Sequence, residues 1–338
     1  MIRIKKILKK PGWIPAFAGM TLILLTLFLF PKPAFAAGYG ISISPPLLRV
    51  NIKPNKSISQ VFTITNLTSD DKLLVARMVP FSEADIFGNP VIDLKSSPDW
   101  LNDFSLANSN IKLGNAFTLK GNTSEQLVLN LTVPEDSPLR DLYATLLVST
   151  YTNVLDLGYQ GSQVNATIGS NLLITINTEL NPPTILKINH LAPTTGSFFK
   201  FGNLYLVDNI TPISFSGSVK NDGNFTAESK GIFKIVNRND TPTHLEGILP
   251  VNVIAHTERI LINNDGKDFT YTPNLGNIGQ FKVILQIKTD NSNAENTLDI
   301  IFFPFKIGAG LILSVFILAS ITKRRREVKS DTVDSIQY

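Results

Sequence analysis

The sequence predicts an all-β protein of tandem β-sandwiches that ends in one transmembrane α-helix. Three observations support this prediction. Apolar and polar residues alternate with a period of two along many segments, and turn residues interrupt the alternation at short intervals. A long apolar run near the C-terminus is followed by four consecutive basic residues. Period-two alternation is typical of antiparallel strands with one buried face, and the apolar run indicates a membrane span.

The N-terminal segment has the composition of a secretory signal peptide. Five basic residues precede the apolar run 21–30, and Pro31 and Pro33 then break it before Ala34-Phe35-Ala36. A signal peptidase requires small side chains at the positions of Ala34 and Ala36, so we expect cleavage after Ala36 and a signal peptide over residues 1–36. An uncleaved N-terminal anchor is the alternative, but this run is too short to span a bilayer alone.

The region after the signal peptide contains many short predicted strands. Clean alternation occurs at 58–65, 126–133, 213–220 and 281–288. Many short strands with frequent turns are typical of immunoglobulin-like β-sandwiches. Asn221-Asp222-Gly223-Asn224 predicts a hairpin, because Gly and Asn tolerate positive φ. Leu180-Asn181-Pro182-Pro183 predicts a stiff boundary, which gives a first sandwich over residues 37–180 and a second, immunoglobulin-like sandwich over residues 181–302.

The C-terminal apolar run predicts a transmembrane helix over residues 303–322. The run 307–322 alone corresponds to roughly 24 Å of helix, and the preceding phenylalanines complete a core of about 30 Å. Lys306 is expected to extend its ammonium group to the outer headgroups. The basic block Lys323, Arg324, Arg325 and Arg326 begins a basic tail, residues 323–338. By the positive-inside rule this tail is cytoplasmic and the N-terminus lies outside the cell. A buried core helix is the alternative, which the adjoining basic block disfavours.

Composition argues against several classes of function. Residues 37–300 carry 19 basic and 24 acidic side chains, so the exterior region is net acidic and the sequence predicts no nucleic-acid partner. The chain contains no cysteine, which excludes thiolate metal sites and cysteine nucleophiles. His190, His244 and His256 lie far apart, and neither His-Glu-x-x-His nor Gly-x-Ser-x-Gly occurs. We therefore expect no catalytic residues, no metal and no cofactor.

Two further features have structural explanations. The segment 263–268 resembles a calcium loop, but Leu261 and Thr272 would occupy the first and twelfth positions, so a turn is expected. Trp100 is the only tryptophan of the exterior region. It is either a core residue, which we favour, or an exposed platform on which a ligand stacks.

Four stretches of the sequence resemble the bacterial WxL-interacting protein family. They are Ile41–Thr68 with Pro45-Pro46 and Asn66, residues 133–144, residues 212–235, and Phe302-Phe303-Pro304-Phe305-Lys306 before the helix. Arg140-Asp141 departs from the Gly-x-Tyr that members often carry there. The resemblance implies a peptidoglycan-binding β-sandwich, a second immunoglobulin-like domain that binds a partner, and a membrane helix with a basic tail. It transfers no individual binding residue.

The sequence thus predicts a non-catalytic protein of the cell envelope, anchored in the cell membrane by one pass. Its exterior region would bind a cell-wall polymer such as peptidoglycan, or another surface protein, as in adhesion. A structural stalk or assembly element that pairs strand edges with other subunits is the alternative. A wall hydrolase is a third hypothesis, disfavoured by the missing catalytic motifs. The ligand-binding residues are not predicted.

Overall fold

A computed structural model describes residues 40–151, 166–179, 181–289 and 291–334. The predicted signal peptide, with Ala34 and Ala36, lies outside the described residues. The first sandwich contains β1 (Ile41–Ser44), β2 (Leu47–Ile52), β3 (Lys56–Asn66), β4 (Lys72–Ala84), β5 (Pro90–Ile92), β6 (Phe104–Leu106), β7 (Ala116–Leu119), β8 (Ser124–Val133), β9 (Arg140–Thr150) and β10 (Thr167–Ile176).

The second sandwich and the helix complete the chain. The strands are β11 (Leu186–Thr195), β12 (Phe198–Phe201), β13 (Leu204–Val207), β14 (Ile213–Asn221), β15 (Ala227–Asn237), β16 (Pro242–Val253), β17 (Glu258–Leu261), β18 (Phe269–Tyr271), β19 (Gly279–Lys288) and β20 (Asn293–Phe302). The helix α1 spans Phe305–Asp334. Two immunoglobulin-like sandwiches in tandem and one C-terminal apolar helix confirm the predicted fold class. The limits of the domains stay a prediction, and Leu180 is not among the described residues.

Each sandwich consists of two sheets, and the first segment of each domain contributes a strand to both of them. In the first sandwich the sheets have the orders β1-β3-β8-β6 and β2-β10-β9-β4-β5, with β7 also paired to β4. In the second they have the orders β11-β14-β17, with β18 also paired to β14, and β12-β13-β20-β19-β15-β16. Each sandwich therefore combines a four-stranded and a six-stranded sheet.

The shared feature is a leading segment that passes from one sheet to the other. β1 pairs antiparallel with β3, and after Pro45-Pro46 β2 pairs parallel with β10. In the second sandwich β11 pairs antiparallel with β14, and β13 pairs parallel with β20. The prolines suit the crossing point because they lack the N–H that a continuing ladder would require. The Ser170 hydroxyl donates to the Pro45 carbonyl (2.7 Å) and fixes the crossing point to β10.

The alternating segments place their apolar residues in two cores, as the sequence predicts. Phe62, Ile64 and Leu127 are fully buried in the first core. Aromatic rings form the centre of the second, where Phe233 stacks on Phe269 with ring centroids 4.6 Å apart. The ring centroid of Phe215 lies 5.5 Å from that of Phe233. Because no disulfide is available, these cores provide the main stabilisation of each sandwich.

The prediction of a hairpin at Asn221–Asn224 is wrong. β14 and β15, which flank this segment, belong to different sheets, so the segment crosses the sandwich. The fully buried Asn221 side chain donates to the carbonyls of Phe225 (2.8 Å) and Val253 (2.9 Å), and accepts from Gly223 N–H (2.9 Å). These bonds satisfy the backbone where the ladder ends, and a hairpin would not require them.

Asn66 has the corresponding role in the first sandwich. It is fully buried at the end of β3, and its Nδ2 donates to the carbonyls of Asp70 (2.8 Å), Leu119 (3.3 Å) and Lys120 (3.2 Å). Its Oδ1 accepts from the Thr68 N–H (3.1 Å). One buried asparagine thus closes the crossing loop of each sandwich.

The predicted limits of the transmembrane helix, residues 303–322, stay a prediction. The helix α1 begins at Phe305, because β20 continues to Phe302 and Pro304 interrupts the ladder. It continues through the basic block to Asp334. Over Phe305–Arg324 it is long and apolar enough to cross a membrane.

We expect Asn66→Ala or Asn221→Ala to lower the free energy of unfolding by about 2–4 kcal/mol, because each change leaves two or three loop carbonyls unpaired. Urea unfolding of the full chain in nanodiscs, followed by circular dichroism, measures this loss. Asn110→Ala is the control, since Asn110 is exposed. A loss below about 0.5 kcal/mol, the usual range for surface substitutions, would contradict the assigned role.

Candidate functional site: the cleft between the sandwiches

The two sandwiches enclose a polar cleft of about 570 Å³. Four segments form its walls: β2, the start of β15, the turn between β19 and β20, and the linker at Asn181. Apart from its charged residues, the cleft is lined mostly by amides and hydroxyls, which belong to Asn51, Asn181, Thr184, Thr226, Thr289 and Asn291. A cleft of this composition is suited to a polar ligand with several hydrogen-bonding groups.

Among the described residues that line the cleft, three are cations and one is a carboxylate. They are Arg49, Lys230 and Lys288 with Glu228, so positive charge predominates in the described lining. Arg49 Nη1 and Lys230 Nζ each lie 3.4 Å from the same Glu228 oxygen. The Arg49 and Glu228 side chains are 34% and 36% exposed, and ion pairs this exposed contribute only ~0–1 kcal/mol. Both cations can therefore exchange Glu228 for an anionic group of a ligand at little cost.

A hydrogen-bonded network around Asp141 joins the sandwiches beside the cleft. Asp141 Oδ2 accepts from the Thr226 backbone N–H and from the Thr226 hydroxyl (2.7 Å) across the boundary. The Tyr143 hydroxyl donates to the same oxygen (2.8 Å) and accepts from the Ala255 N–H (3.2 Å). Thr175 donates to the other carboxylate oxygen (2.7 Å). The carboxylate therefore holds residues of both sandwiches.

The network has an electrostatic consequence for Tyr143. Burial raises the pKa of the Tyr143 hydroxyl, and the negative charge of Asp141 raises it further. The neutral phenol, which donates to Asp141, is thus the form that the folded protein favours.

An apolar contact supports this network. Phe81 and Leu173 of the first sandwich and Ile254 of the second form one buried cluster. The Tyr143 ring packs against the cluster and stacks on Phe81 at a centroid distance of 5.5 Å. Tyr143 therefore contributes its ring to the apolar contact and its hydroxyl to the polar one.

A turn of the first sandwich contacts the second sandwich directly. Asp85 Oδ1 accepts from the N–H groups of Phe87 (2.9 Å) and Asn89 (2.8 Å), which fixes the turn. The Ile86 carbonyl then accepts from Ile260 N–H (2.8 Å) across the boundary. Gly88, at φ +82°, lies against Arg259, where a Cβ would come within 2.2 Å of the guanidinium carbon. The contact between the two sandwiches therefore extends beyond the residues that line the cleft.

A second junction connects the second sandwich to α1. Lys306 Nζ lies 3.5 Å from Oδ2 of the fully buried Asp208, and no described residue donates a hydrogen bond to that carboxylate. The Phe199 and Phe305 rings pack at 5.1 Å, and the Val207 carbonyl accepts from Phe303 N–H (2.9 Å). Lys306 thus contacts the sandwich, and its predicted contact with headgroups stays a prediction.

The other residues considered from the sequence lie apart from the cleft. Trp100 packs against the first core, edge-on to Phe104 at 6.3 Å, which favours the core interpretation. The segment 263–268 forms a turn in which Asn263 Oδ1 accepts from the N–H groups of Asp265 and Lys267, both at 3.0 Å. In the part of the chain that the structure describes, no cluster of His, Asp and Glu is placed to hold a metal ion.

The basic block follows the apolar residues of α1, on the side away from the sandwiches. Lys323 and Arg324 are exposed there, and only the backbone is described at Arg325 and Arg326. Sequence reasoning missed Arg49, Asp141, Glu228 and Lys230. The only sequence signal for any of them is Arg140-Asp141, which departs from the pattern of the resembled family.

We expect the stabilising effect of the Tyr143 hydroxyl to decline at high pH. Because its folded pKa is raised, the contribution is complete below the unfolded pKa of about 10 and declines progressively as pH rises from that value towards the folded pKa. The difference between the urea midpoints of the parent chain and Tyr143→Phe should therefore be smaller at pH 11 than at pH 8. Tyr151→Phe, at an exposed site, is the control. A difference that stays equal or widens at pH 11 would contradict the assignment.

Comparisons with known proteins return structural neighbours only. No family model and no curated protein matches the chain. The E. coli chaperone DraB has 12% sequence identity and a TM-score of 0.33 over 77% of this chain and 97% of that chain. The CsuC–CsuE chaperone–tip adhesion subunit complex of Acinetobacter baumannii pili has 11% sequence identity and a TM-score of 0.33 over 68% of this chain and 92% of that chain. A PapD-like domain of human CEP192 has 11% sequence identity and a TM-score of 0.28 over 44% of this chain and 92% of that chain. Similarities this low assign neither a family nor a function.

Proposed function

We propose that this protein is a membrane-anchored, non-catalytic surface protein that binds an anionic partner in the cleft between its sandwiches. The partner is an acidic cell-wall polymer or an acidic segment of another surface protein. The observation that carries the proposal is the excess of cations in the described lining of the cleft. Arg49, Lys230 and Lys288 accompany a single carboxylate, Glu228, and the rest of this lining is mostly amides and hydroxyls. Charged donors in such a cleft bind carboxylate or phosphate groups about twice as strongly as neutral donors do.

The anchor part of the proposal is supported by α1. Its apolar section Phe305–Arg324 has 20 residues, which at 1.5 Å per residue matches a hydrocarbon core of about 30 Å. Ser314 and Ser320 donate to the carbonyls of Gly310 and Phe316 at 2.8 Å, so their hydroxyls are satisfied within the helix. The block from Lys323 to Arg326 favours a cytoplasmic C-terminus and exterior sandwiches.

The resemblance to the WxL-interacting proteins supports the choice of partner class. In that family the first sandwich binds peptidoglycan, whose stem peptides carry carboxylates. The cleft of this chain uses both sandwiches, with Arg49 from the first and Lys230 and Lys288 from the second. We therefore propose that both domains contact the same partner.

We expect the double variant Arg49→Gln/Lys230→Gln to bind at least tenfold more weakly, because each charge-assisted bond contributes ~1.5–3 kcal/mol. Retention of the full chain, in nanodiscs, on cell-wall sacculi and on a surface-protein extract measures the affinity. Lys112→Gln/Lys267→Gln is the matched control, since it removes the same charge at exposed sites outside the cleft. Equal retention of both double variants would contradict cleft binding.

A structural stalk remains the alternative, and one edge strand favours it. β16 forms the edge of the six-stranded sheet. Its outer side contacts the turn after β17 only at Ile248 and Leu249, so in the described structure the section Pro242–Gly247 has no strand on that side. Such an edge is a template for pairing with another chain.

If the edge of β16 mediates assembly, Leu245→Lys should abolish it, because an edge lysine opposes strand addition. Leu245 is 61% exposed, so the change removes little packing. Mass photometry of the full chain in detergent measures assembly, and Leu94→Lys, at a residue 69% exposed in the first sandwich, is the control. A parent chain that is monomeric at all concentrations would exclude the stalk.

A further inference from the structure

Two loops of the second sandwich lie at the end from which α1 leaves. Val207 and Gly279 both pair with Phe302, the last residue of β20. The loop that follows Val207 (residues 208–212) and the loop that precedes Gly279 (residues 272–278) therefore flank the start of the helix. Asn209, fully buried, donates to the carbonyl of Asn277 (3.0 Å) and connects the two loops.

These loops and the short segment before α1 expose large apolar side chains. Ile210 is 41% exposed, Leu275 61%, Ile278 58% and Phe303 47%. Surface loops are ordinarily polar, and adjacent exposed apolar side chains mark an interaction surface. The four residues, here called the apolar rim, contrast with the polar lining of the cleft at the other end of β20.

The rim is held close to the helix. Only Phe303 and Pro304 separate β20 from α1, and Phe303 N–H donates to Val207 at 2.9 Å. The Lys306–Asp208 ion pair and the Phe199–Phe305 contact attach the first helical turn to the sandwich. If α1 enters the hydrocarbon near Ile307, the rim lies within the headgroup layer.

We propose that the apolar rim inserts into the outer leaflet, at the boundary between headgroups and acyl chains, so that the second sandwich rests on the bilayer. This inference rests on the proposed anchoring by α1. The occupant is the lipid surface because the rim continues the apolar surface of a helix whose candidate span is wholly unburied. Apolar side chains on fixed loops partition into this boundary as those of interfacial helices do.

The absence of cysteine permits a direct measurement of depth. The full chain is reconstituted in nanodiscs of phosphatidylethanolamine and phosphatidylglycerol at 3:1. It carries one nitroxide label, at Leu275→Cys or Ile278→Cys. Collision rates with oxygen, which concentrates in lipid, and with a nickel chelate, which stays in water, give the depth of each label.

Two control labels separate the docking proposal from the anchoring proposal. Leu245→Cys has the same 61% exposure as Leu275. Leu245 pairs with Lys234, Lys234 pairs with Ile284, and Ile284 pairs with Thr297 of β20. Leu245 therefore lies level with Thr297, which is five residues, or about 17 Å along the strand, from the helix end of β20 at Phe302. Leu313→Cys reports on α1.

We expect the ratio of oxygen to nickel collisions to be several-fold higher at positions 275 and 278 than at 245, and highest at 313. A lipid-embedded label at 313 with labels at 275 and 278 as hydrated as that at 245 would overturn the docking proposal alone. A hydrated label at 313 would overturn anchoring, and docking with it. Labels at 275 and 278 shielded from both reagents would indicate a protein partner and also overturn docking.

Discussion

The pairing of one leading segment with both sheets is the constraint on which each sandwich depends. Without disulfides, the two sheets of a sandwich are held together by apolar burial and by any chain that crosses between them. β1 and β2 form such a crossing in the first sandwich, and β11 and β13 do so in the second. In each case the second half of the segment adds a parallel strand beside the final strand, which protects that strand from becoming a free edge.

In the contact between the sandwiches, single residues likewise serve two purposes. One carboxylate, Asp141, accepts from residues of both domains, and Tyr143 belongs to the polar network and the apolar cluster at once. Because this contact lies beside the cleft, the relative position of Arg49 and Lys230 follows from it. A ligand that uses both cations therefore encounters donors that are already positioned, which reduces the entropy lost on binding.

The sequence predicted the fold class well because the apolar alternation directly reports which faces are buried. The segments around Phe62, Leu127, Phe215 and Val283 bury the residues that their period indicates. The hairpin at Asn221 failed because local turn chemistry does not reveal which sheet the next strand joins. The cleft could not be predicted, since Arg49 and Lys230 lie 181 positions apart in the sequence and meet only through tertiary structure. Likewise, nothing near Lys306 in the sequence points to Asp208.

The path of β20 has a mechanical consequence. This strand starts beside the cleft, at the turn that contains Asn291, and leads directly into the helix at its other end. If α1 anchors the chain in lipid, as proposed, a pull on a partner bound in the cleft would act along the strand axis. The ten-residue pairing with β19 and the parallel pairing with β13 would then be loaded in shear, with all their hydrogen bonds sharing the tension. Under that proposal, this geometry suits the second sandwich to bear load between the membrane and a bound partner.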